Sequence, residues 1–207
     1  FSWKELKRNL FVLMLKQNVR STWKGHGLFA TELVLIMEKR SRHPLTIVDL
    51  GVDNGFSTLC FSIMLNKGSK VYGIDMWDMD NRRKAVQKLI SDLDGKFIDK
   101  NRIELIKDKF ENVASKWNKS IDILHIDGGH SYESVKRDYE MWSKFVKDDG
   151  IILMHDIARC KFGVWKFWNE LKEENKCYFL HSSSLGVICK DKKLMELLRI
   201  RFTMIQG

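Results

Sequence analysis

The sequence has a single proline, four cysteines and no long apolar run among its 207 residues. No stretch rich in Pro, Gly or Ser divides it, so nothing in the composition indicates a linker between domains. Its longest apolar runs are too short to cross a bilayer, and we expect no membrane-spanning segment. The cysteines lack CxxC and zinc-finger spacing, which favours buried thiols in a cytoplasmic, reducing compartment over a disulfide framework. They are Cys60, Cys160, Cys177 and Cys189.

The length suits one hydrophobic core, and the composition, 44% hydrophobic and 11% aromatic, is that of an ordinary globular protein. We therefore expect a single domain over 1–207. Within it we expect a helical cap at 1–44, a core at 45–190 and a tail at 191–207.

Acidic residues are outnumbered by basic ones, 27 to 36, which gives a net charge of +9. A basic balance is typical of nucleic-acid-binding proteins. Here the basic residues are scattered, however, and no RGG run, zinc finger or RNP-like aromatic motif accompanies them. A solvated lysine-rich surface is the simpler interpretation. An anionic substrate, such as a glycan or RNA, stays open as the alternative, and the sequence does not indicate an oligomeric state.

The most informative segment is TIVDLGVDNGFS, residues 46–57, in which an apolar run ends in an acid and breaks into a glycine-bearing turn. This pattern predicts strand, loop and helix around a nucleotide-like ligand. The dinucleotide fingerprint would need glycines where this chain has Gly51, Asp53 and Phe56. A carboxylate at Asp53 would repel a pyrophosphate, so NAD and FAD are disfavoured. S-adenosylmethionine, with an adenosine half and a positively charged half, suits the acids better.

Strand-like and helix-like segments alternate along the rest of the chain. Strands are predicted at 45–50, 70–74, 102–106, 121–126, 150–154, 178–181 and 186–189. Helices are predicted at 2–17, with a capping box at Ser2 and Glu5, and at 29–39, 56–66, 82–93, 111–117, 132–146 and 163–173. The pattern predicts an α/β, Rossmann-like, doubly wound fold with a mostly parallel seven-stranded sheet and a C-terminal antiparallel hairpin. In such sheets, ligands bind beyond the carboxyl ends of the strands, and we expect one shared edge there for Asp49, Gly51, Asp75, Asp108, Asp127, His155 and Asp156.

The chain resembles the class I S-adenosylmethionine-dependent methyltransferases. The resemblance rests on residues 46–57, on VYGIDMW, and on IDILHIDGGHSYESVKRDYEMW followed by DDGIILMHDI and GVWKFW, so it covers roughly 46–190. The last three segments resemble the macrocin O-methyltransferase and cephalosporin-hydroxylase-like branch. The resemblance implies cofactor-binding roles for Asp49, Gly51, Asn54, Gly55, Ser57, Asp75, Met76, Trp77, Asp108 and Asp127.

Within that set, Asp75 is expected to bind the ribose hydroxyls, because it ends a strand about twenty residues after the glycine loop. Met76 and Trp77 are expected beside the adenine, with a core position as the alternative for Trp77. Asp108 is expected to reach the adenine amino group, with a surface turn as the alternative. Asp127 is expected to contact the cofactor's ammonium group or a divalent metal, and the two glycines after it are expected to let another molecule approach the backbone.

The resemblance also implies a metal site at Asp127, His155 and Asp156, where relatives hold magnesium. Magnesium prefers oxygen ligands, so His155 admits a softer metal, or no metal with His155 acting on protons. His130 and His155 are the candidate general bases. The expected function is O-methylation of a hydroxyl on a small molecule or sugar, with or without the assistance of a metal. A hydroxylase-like relative on the same fold and a basic RNA-binding or RNA-modifying domain are the alternatives.

Overall fold

The chain divides into two units, Phe1–Lys109 and Phe110–Gly207. The computed structural model describes residues 3–159, 161–173, 175–202 and 204–206. The predicted cap at Ser2 and the thiol of Cys160 lie outside these described residues. The single domain expected over 1–207 stays a prediction.

The first unit contains four helices and three strands in its described part. They are α1 (Trp3–Asn18), α2 (Gly27–Arg40), β1 (Thr46–Leu50), α3 (Phe56–Ser62), β2 (Lys70–Asp75), α4 (Asp80–Leu93) and β3 (Ile103–Lys107). Short 3-10 turns occupy Thr22–His26 and Lys100–Arg102. Strand order is β3-β2-β1, with both pairs parallel.

The β1 strand forms because its β-branched Ile47 and Val48 pack on both faces and are completely buried. Its register pairs Leu50 with Ile74, so the strands β1 and β2 end side by side. Residues after Leu50 and Asp75 therefore emerge at the same edge. All seven residues of α3 are buried, which makes this helix part of the unit's core.

The N-terminal helices pack on this layer through Phe11 and Leu15 of α1, which are fully buried. Arg8 of α1 forms an ion pair with Glu32 of α2, and both side chains are largely buried. The connection is capped by Ser21, whose hydroxyl accepts a hydrogen bond from the Trp23 amide at 3.0 Å. The predicted helical cap is thus present as two helices joined by a 3-10 turn.

The second unit carries the remaining elements. They are α5 (Phe110–Ala114), β4 (Ile121–Ile126), α6 (Tyr132–Trp142), β5 (Val146–His155), α7 (Val164–Glu170), β6 (Lys176–Phe179), β7 (Leu185–Cys189), α8 (Lys192–Phe202) and β8 (Ile205–Gln206). A 3-10 turn at Ser143–Phe145 joins α6 to β5. Strand order is β4-β5-β7-β6-β8.

In this unit β4 and β5 pair in parallel, whereas β7 runs antiparallel to both β5 and β6. All six residues of β4 are buried, as expected for a strand covered on both faces. The predicted Rossmann-like arrangement, mostly parallel with an antiparallel C-terminal hairpin, is confirmed. A two-residue strand that the sequence did not indicate, β8, pairs with β6.

Element ends differ from the prediction where side-chain patterns are weak. The helices α3, α6 and α7 end at Ser62, Trp142 and Glu170, several residues earlier than expected. β5 begins at Val146 instead of residue 150, because a bulged segment precedes the regular pairing at Ile151. The tail at 191–207 contains α8, which was not predicted. Among the described residues, no helix is long and apolar enough to span a membrane.

Candidate functional site

The loop between β1 and α3 adopts the tight turn that its glycines predict. Gly51 and Gly55 have φ angles of 96° and 85°, in the left-handed region that favours glycine. The Gly51 amide donates to the Ile74 carbonyl at 2.9 Å, and the Gly55 amide donates to Val52 at 2.8 Å. A Cβ on Gly55 would come within 2.9 Å of Val86 on α4. The turn is therefore specified both by its backbone angles and by the packing of α4 behind it.

Asp49 is completely buried and stabilises this loop through hydrogen bonds. One carboxylate oxygen accepts hydrogen bonds from the hydroxyls of Ser57, at 2.8 Å, and Thr58, at 2.5 Å. These contacts fasten the end of β1 to the start of α3. Asp49 and Ser57 thus hold the shape of the loop, and their direct contact with a cofactor stays a prediction.

Asp75 lies at the end of β2, beside the loop. Its two carboxylate oxygens accept from the backbone amides of Asp53, at 2.9 Å, and Trp77, at 2.7 Å. A carboxylate has about four acceptor positions, so two remain for further donors. The carboxylate is thereby fixed in orientation with accepting capacity to spare, as a residue that binds a diol needs.

Trp77 is buried and has a φ of 40°. Its indole N–H donates to the Asp53 carbonyl at 3.0 Å, so the ring is fixed against the glycine loop. Met76, next to it, is 41% exposed. Asn54 donates to Asp53 at 2.7 Å, and Arg82 of α4 forms an ion pair with the same carboxylate at 2.8 Å. The first unit therefore brings the glycine loop and the segment after β2 into contact with each other.

Asp108 follows β3 and accepts from the adjacent Lys109 amide at 2.8 Å. That contact is the local turn geometry of an Asp after a strand. Its expected reach to an adenine stays a prediction.

In the second unit, the sequence DGGH forms the loop between β4 and α6. Its two glycines were expected to let a ligand approach the backbone. Instead, a Cβ on Gly128 would lie 2.5 Å from the Phe110 ring, and one on Gly129 would lie 2.8 Å from Ser134. The protein's own side chains fill that space, so the glycines serve packing. Ser131 caps α6, since its hydroxyl accepts from the Ser134 amide at 3.1 Å.

His155 ends β5 and is almost completely buried. Its Nδ1 lies 3.1 Å from Asp127 Oδ1, and its Nε2 lies 3.0 Å from the Ser182 carbonyl oxygen. Burial lowers the pKa of His155, but the carboxylates of Asp127 and Asp156 outweigh it and raise the pKa to about 10. A protonated imidazole donates from both nitrogens and has no lone pair for a metal or a proton. Both ring nitrogens of His155 are thus engaged within the protein, and the metal-binding and base roles expected for His155 stay predictions.

His130 occupies a different position, with its side chain 45% exposed. Its Nε2 lies 3.0 Å from Asp156 Oδ2, and its ring stacks on Phe162 with centroids 4.3 Å apart. The hydrogen bond to Asp156 is the main reason why the pKa of His130 is raised above its usual value. With the Nε2 proton donated to Asp156, the lone pair belongs to Nδ1. This is the imidazole in the cluster that a ligand can reach.

Asp156 joins these two histidines and is itself buried. Burial alone would raise the pKa of its carboxyl, but hydrogen bonds from His130 and His155 hold it well below the usual range. Arg159 adds a third cation, with Nε at 3.3 Å from Asp156 Oδ1. The pKa of Asp127 is also lowered, because the charge of His155 offsets its burial. Both acids are therefore carboxylates throughout the neutral pH range.

Ligand atoms of Asp127, His130 and Asp156 all lie within 4.8 Å of one another. Asp156 Oδ1 is buried and accepts no hydrogen bond among the described residues, but the Arg159 guanidinium lies 3.3 Å away and would have to move for a metal to bind this oxygen. Two carboxylates and one imidazole fit a divalent metal, and the imidazole favours one softer than magnesium. The structure thus assembles a possible metal group with His130 where the sequence suggested His155.

The turn between β6 and β7 takes part in the cluster, which the sequence did not reveal. Ser182, Ser183 and Ser184 all have positive φ, at 49°, 68° and 72°. Besides the Ser182 carbonyl on His155, the Ser184 hydroxyl accepts from the Ala158 amide at 2.7 Å. These are mainly backbone contacts, and residue types alone carry no signal for them.

The expectation that the cofactor residues and this cluster share one sheet edge involves both units and stays a prediction. Within the units, the structure brings the glycine loop together with Asp75 and Trp77, and Asp127 together with His130, His155 and Asp156. Two polar groups, one in each unit, are thus defined.

Comparison with known proteins assigns the class. The sequence profile of a family described as "Methyltransferase domain" matches residues 48–157, more than half of the chain. The chain therefore belongs to this family of methyltransferase domains, which use S-adenosylmethionine.

Individual relatives agree. An O-methyltransferase from Bacillus cereus, solved with S-adenosylhomocysteine, superposes with a TM-score of 0.62 at 15% identity, over 86% of this chain and 89% of that one. A candidate caffeoyl-CoA O-methyltransferase from Staphylococcus aureus superposes with a TM-score of 0.63 at 14% identity, over 100% and 93% of the two chains. At these identities the likeness shows the fold.

A curated relative, uncharacterized protein y4gI from Sinorhizobium fredii, is 28% identical over 186 residues. The match covers 85% of this chain and 20% of that protein, so the chain spans about a fifth of the relative's length.

Proposed function

We propose that this domain transfers a methyl group from S-adenosylmethionine to a hydroxyl oxygen of a small molecule or sugar. The observation that carries the proposal is the hydrogen bond between the glycine loop and Asp75, the acid at the end of β2. Asp75 is fixed by two backbone amides and keeps acceptor positions for the two ribose hydroxyls. Asp53 is paired with Arg82, but its side chain stands where a dinucleotide-binding loop needs glycine for close approach of the pyrophosphate.

In this proposal Met76 and Trp77 flank the adenine, and Asp49 and Ser57 act by holding the loop. Methyl transfer from a sulfonium needs little chemistry from the protein, because the donor is already reactive. The protein must align the acceptor oxygen, exclude water and remove one proton.

We assign the removal of the acceptor's hydroxyl proton to His130. It is the accessible imidazole of the cluster, Asp156 fixes its tautomer and orientation, and the raised pKa makes it a stronger base. His155 acts as a positioning residue, because it holds Asp127 and the Ser182 carbonyl from a buried place.

A metal gives His130 a second possible role, as a ligand. Asp127, His130 and Asp156 would then hold a divalent cation, and the cation would acidify a hydroxyl bound to it. Dialysis against a chelator, followed by metal analysis and calorimetric titration with Mn²⁺, Zn²⁺ and Mg²⁺, separates the roles. The absence of saturable cation binding would support the base role of His130, whereas saturable binding that His130→Ala weakens at least tenfold would identify His130 as a ligand.

The proposal is tested by incubating the domain with methyl-tritiated S-adenosylmethionine and pools of sugars, phenols and RNA. We expect label in a sugar or phenol fraction, and we expect Asp156→Ala to remove it while cofactor affinity changes little. Saturable cofactor binding without transfer to any pool would leave the hydroxylase-like alternative, and transfer to RNA alone would replace the acceptor class. The charge of +9 is the observation that keeps RNA as the second candidate.

A further inference from the structure

A cavity of 260 Å³ lies in the second unit beside the start of β5. None of Asp127, His130, His155 and Asp156 lines it, and Ile152, the lining residue of β5 nearest to His155, is about 10 Å from it along an extended strand. The cavity is therefore separate from the cluster to which the proposed methyl transfer is assigned.

An irregularity of the sheet creates this space. Ile121 of β4 pairs with Val146, and Ile123 pairs with Ile151, so residues 147–150 bulge out of the β4–β5 ladder. A Cβ on Gly150 would lie 3.0 Å from the Lys147 carbonyl and 3.1 Å from the Ile121 carbonyl, both backbone atoms. The bulge thus depends on a glycine at this place. Bulges of this kind commonly occur where a sheet makes room for function.

One side of the cavity is apolar. It is lined by Val146, Ile152 and Ile188, and the two isoleucines are almost fully buried. Its volume is below the roughly 300–1,000 Å³ of pockets that hold drug-sized molecules. A ligand would therefore be small, with an apolar body.

The rest of the lining is basic, with Lys144, Lys147 and Lys190. Lys147 is neutralised by the buried Asp122 at 2.6 Å. Lys190 pairs with Asp148, at 3.2 Å, and that carboxylate is 96% exposed, so the pair is weak. Lys144 lies 5.1 Å from the centroid of the Phe145 ring, and no acidic partner for it occurs in the described part of the chain.

One acid, Glu173, also lines the cavity. Its carboxylate accepts a hydrogen bond from the Tyr139 hydroxyl at 2.7 Å. The Tyr139 hydroxyl does not cancel the charge of Glu173, so the two lysines Lys144 and Lys190 face one carboxylate, and the lining keeps a net positive charge for an incoming anion.

We propose that this cavity is a second ligand site, for a small organic anion whose carboxylate or phosphate meets Lys144 and Lys190 while its apolar body lies on Val146, Ile152 and Ile188. The inference is independent of the methyl-transfer reaction.

The test is a titration of the whole chain with hexanoate, followed by amide NMR shifts. We expect saturable shifts centred on Val146, Ile152 and Ile188, and at least a fivefold weaker affinity in the double variant Lys144→Gln, Lys190→Gln. The control is Lys116→Gln, an exposed lysine of the same unit that is not part of the lining; it should leave the affinity unchanged. All three are exposed positions, so folding is not at risk.

Three further probes define the ligand chemistry. Hexyl phosphate is expected to bind at least as tightly as hexanoate, whereas hexanol and inorganic phosphate are each expected to bind at least tenfold more weakly. Shifts that spread over the basic surface without saturation would overturn the proposal. So would equal binding of hexanol, or an affinity that the lysine variant does not change.

Discussion

At the scale of single residues, Asp138 is a buried acid of the second unit that the proposed function does not use. It is 1% exposed on α6, its Oδ1 has no hydrogen-bond partner, and the nearest cation, Arg137, is 3.8 Å away. Burial is the main cause that raises the pKa of Asp138 to about 6. The carboxyl packs behind Gly128, in the loop that leads to His130. Burial therefore favours the neutral carboxyl of Asp138, but at neutral pH a group with a pKa of about 6 is mostly ionised.

This predicts a pH-dependent stability. The folded-state pKa, about 6, is above the ordinary 3.8, so the folded protein binds more protons between these values and loses stability as the pH rises through them. The loss above pH 6 is up to about 3 kcal/mol. Asp138→Asn should therefore raise the free energy of unfolding at pH 8 by up to that amount and change it little at pH 4. Denaturant melts at both values measure this.

The matched control is Glu140→Gln, an exposed carboxylate on the same helix, which should show no such pH dependence. A lower stability of Asp138→Asn at pH 8 would mean that the folded protein uses the negative charge.

Asp75 gives the second prediction. Asp75→Ala should weaken the binding of S-adenosylhomocysteine more than tenfold, because two hydrogen bonds to a diol are lost. Equilibrium dialysis with labelled ligand measures the dissociation constant, and Asp78→Ala, an exposed neighbour, is the control. Asp75 also supports the loop, so thermal unfolding without ligand is compared for both variants. An unchanged dissociation constant would remove Asp75 from the cofactor site.

At the scale of elements, strands were predicted better than helix ends. Buried β-branched runs such as Ile47–Val48 identify a strand by composition, and every predicted strand is present. The ends of α6 and α7 depend on which turn last packs on the sheet, which is a tertiary property. The bulge before Ile151 could not be predicted for the same reason, since it depends on how β5 meets β4.

The candidate site was predictable in residue type more than in contact. The acids and histidines at strand ends were identified, because parallel strands place their carboxyl ends together. The distinct positions of His130 and His155 could not be predicted. The Ser182 backbone carbonyl bonds to His155 and thereby leaves this imidazole buried with both nitrogens hydrogen-bonded. A sequence contains no pattern for a contact of that kind.

The glycine loop supplies an element-scale prediction. Gly55 and Gly95 both have positive φ, at 85° and 72°, but a Cβ on Gly55 would meet Val86 at 2.9 Å whereas one on Gly95 meets nothing within 4 Å. Each alanine substitution should cost about 1–2 kcal/mol of stability through φ alone. Gly55→Ala should cost more than Gly95→Ala and should also weaken cofactor binding. Denaturant melts and ligand titration compare them, and equal effects of the two on both would contradict the packing argument.

At the scale of the whole molecule, the charge of +9 is spread over many scattered lysines and arginines. We expect binding of a single-stranded RNA oligomer to be independent of its sequence and to fall at least about tenfold between roughly 50 and 200 mM salt. S-adenosylhomocysteine binding should change little over that range. Fluorescence anisotropy with two unrelated oligomers measures this, and salt-resistant binding of one of them would identify RNA as a specific partner.

The central claim also concerns the whole molecule: the acids and the glycine turn form a binding site for a cationic adenosine cofactor. Isothermal titration calorimetry of the wild-type chain with S-adenosylmethionine tests it most directly, with NAD as the comparison. The account predicts saturable one-to-one binding of S-adenosylmethionine and none of NAD. Saturable binding of NAD with no binding of S-adenosylmethionine would contradict it.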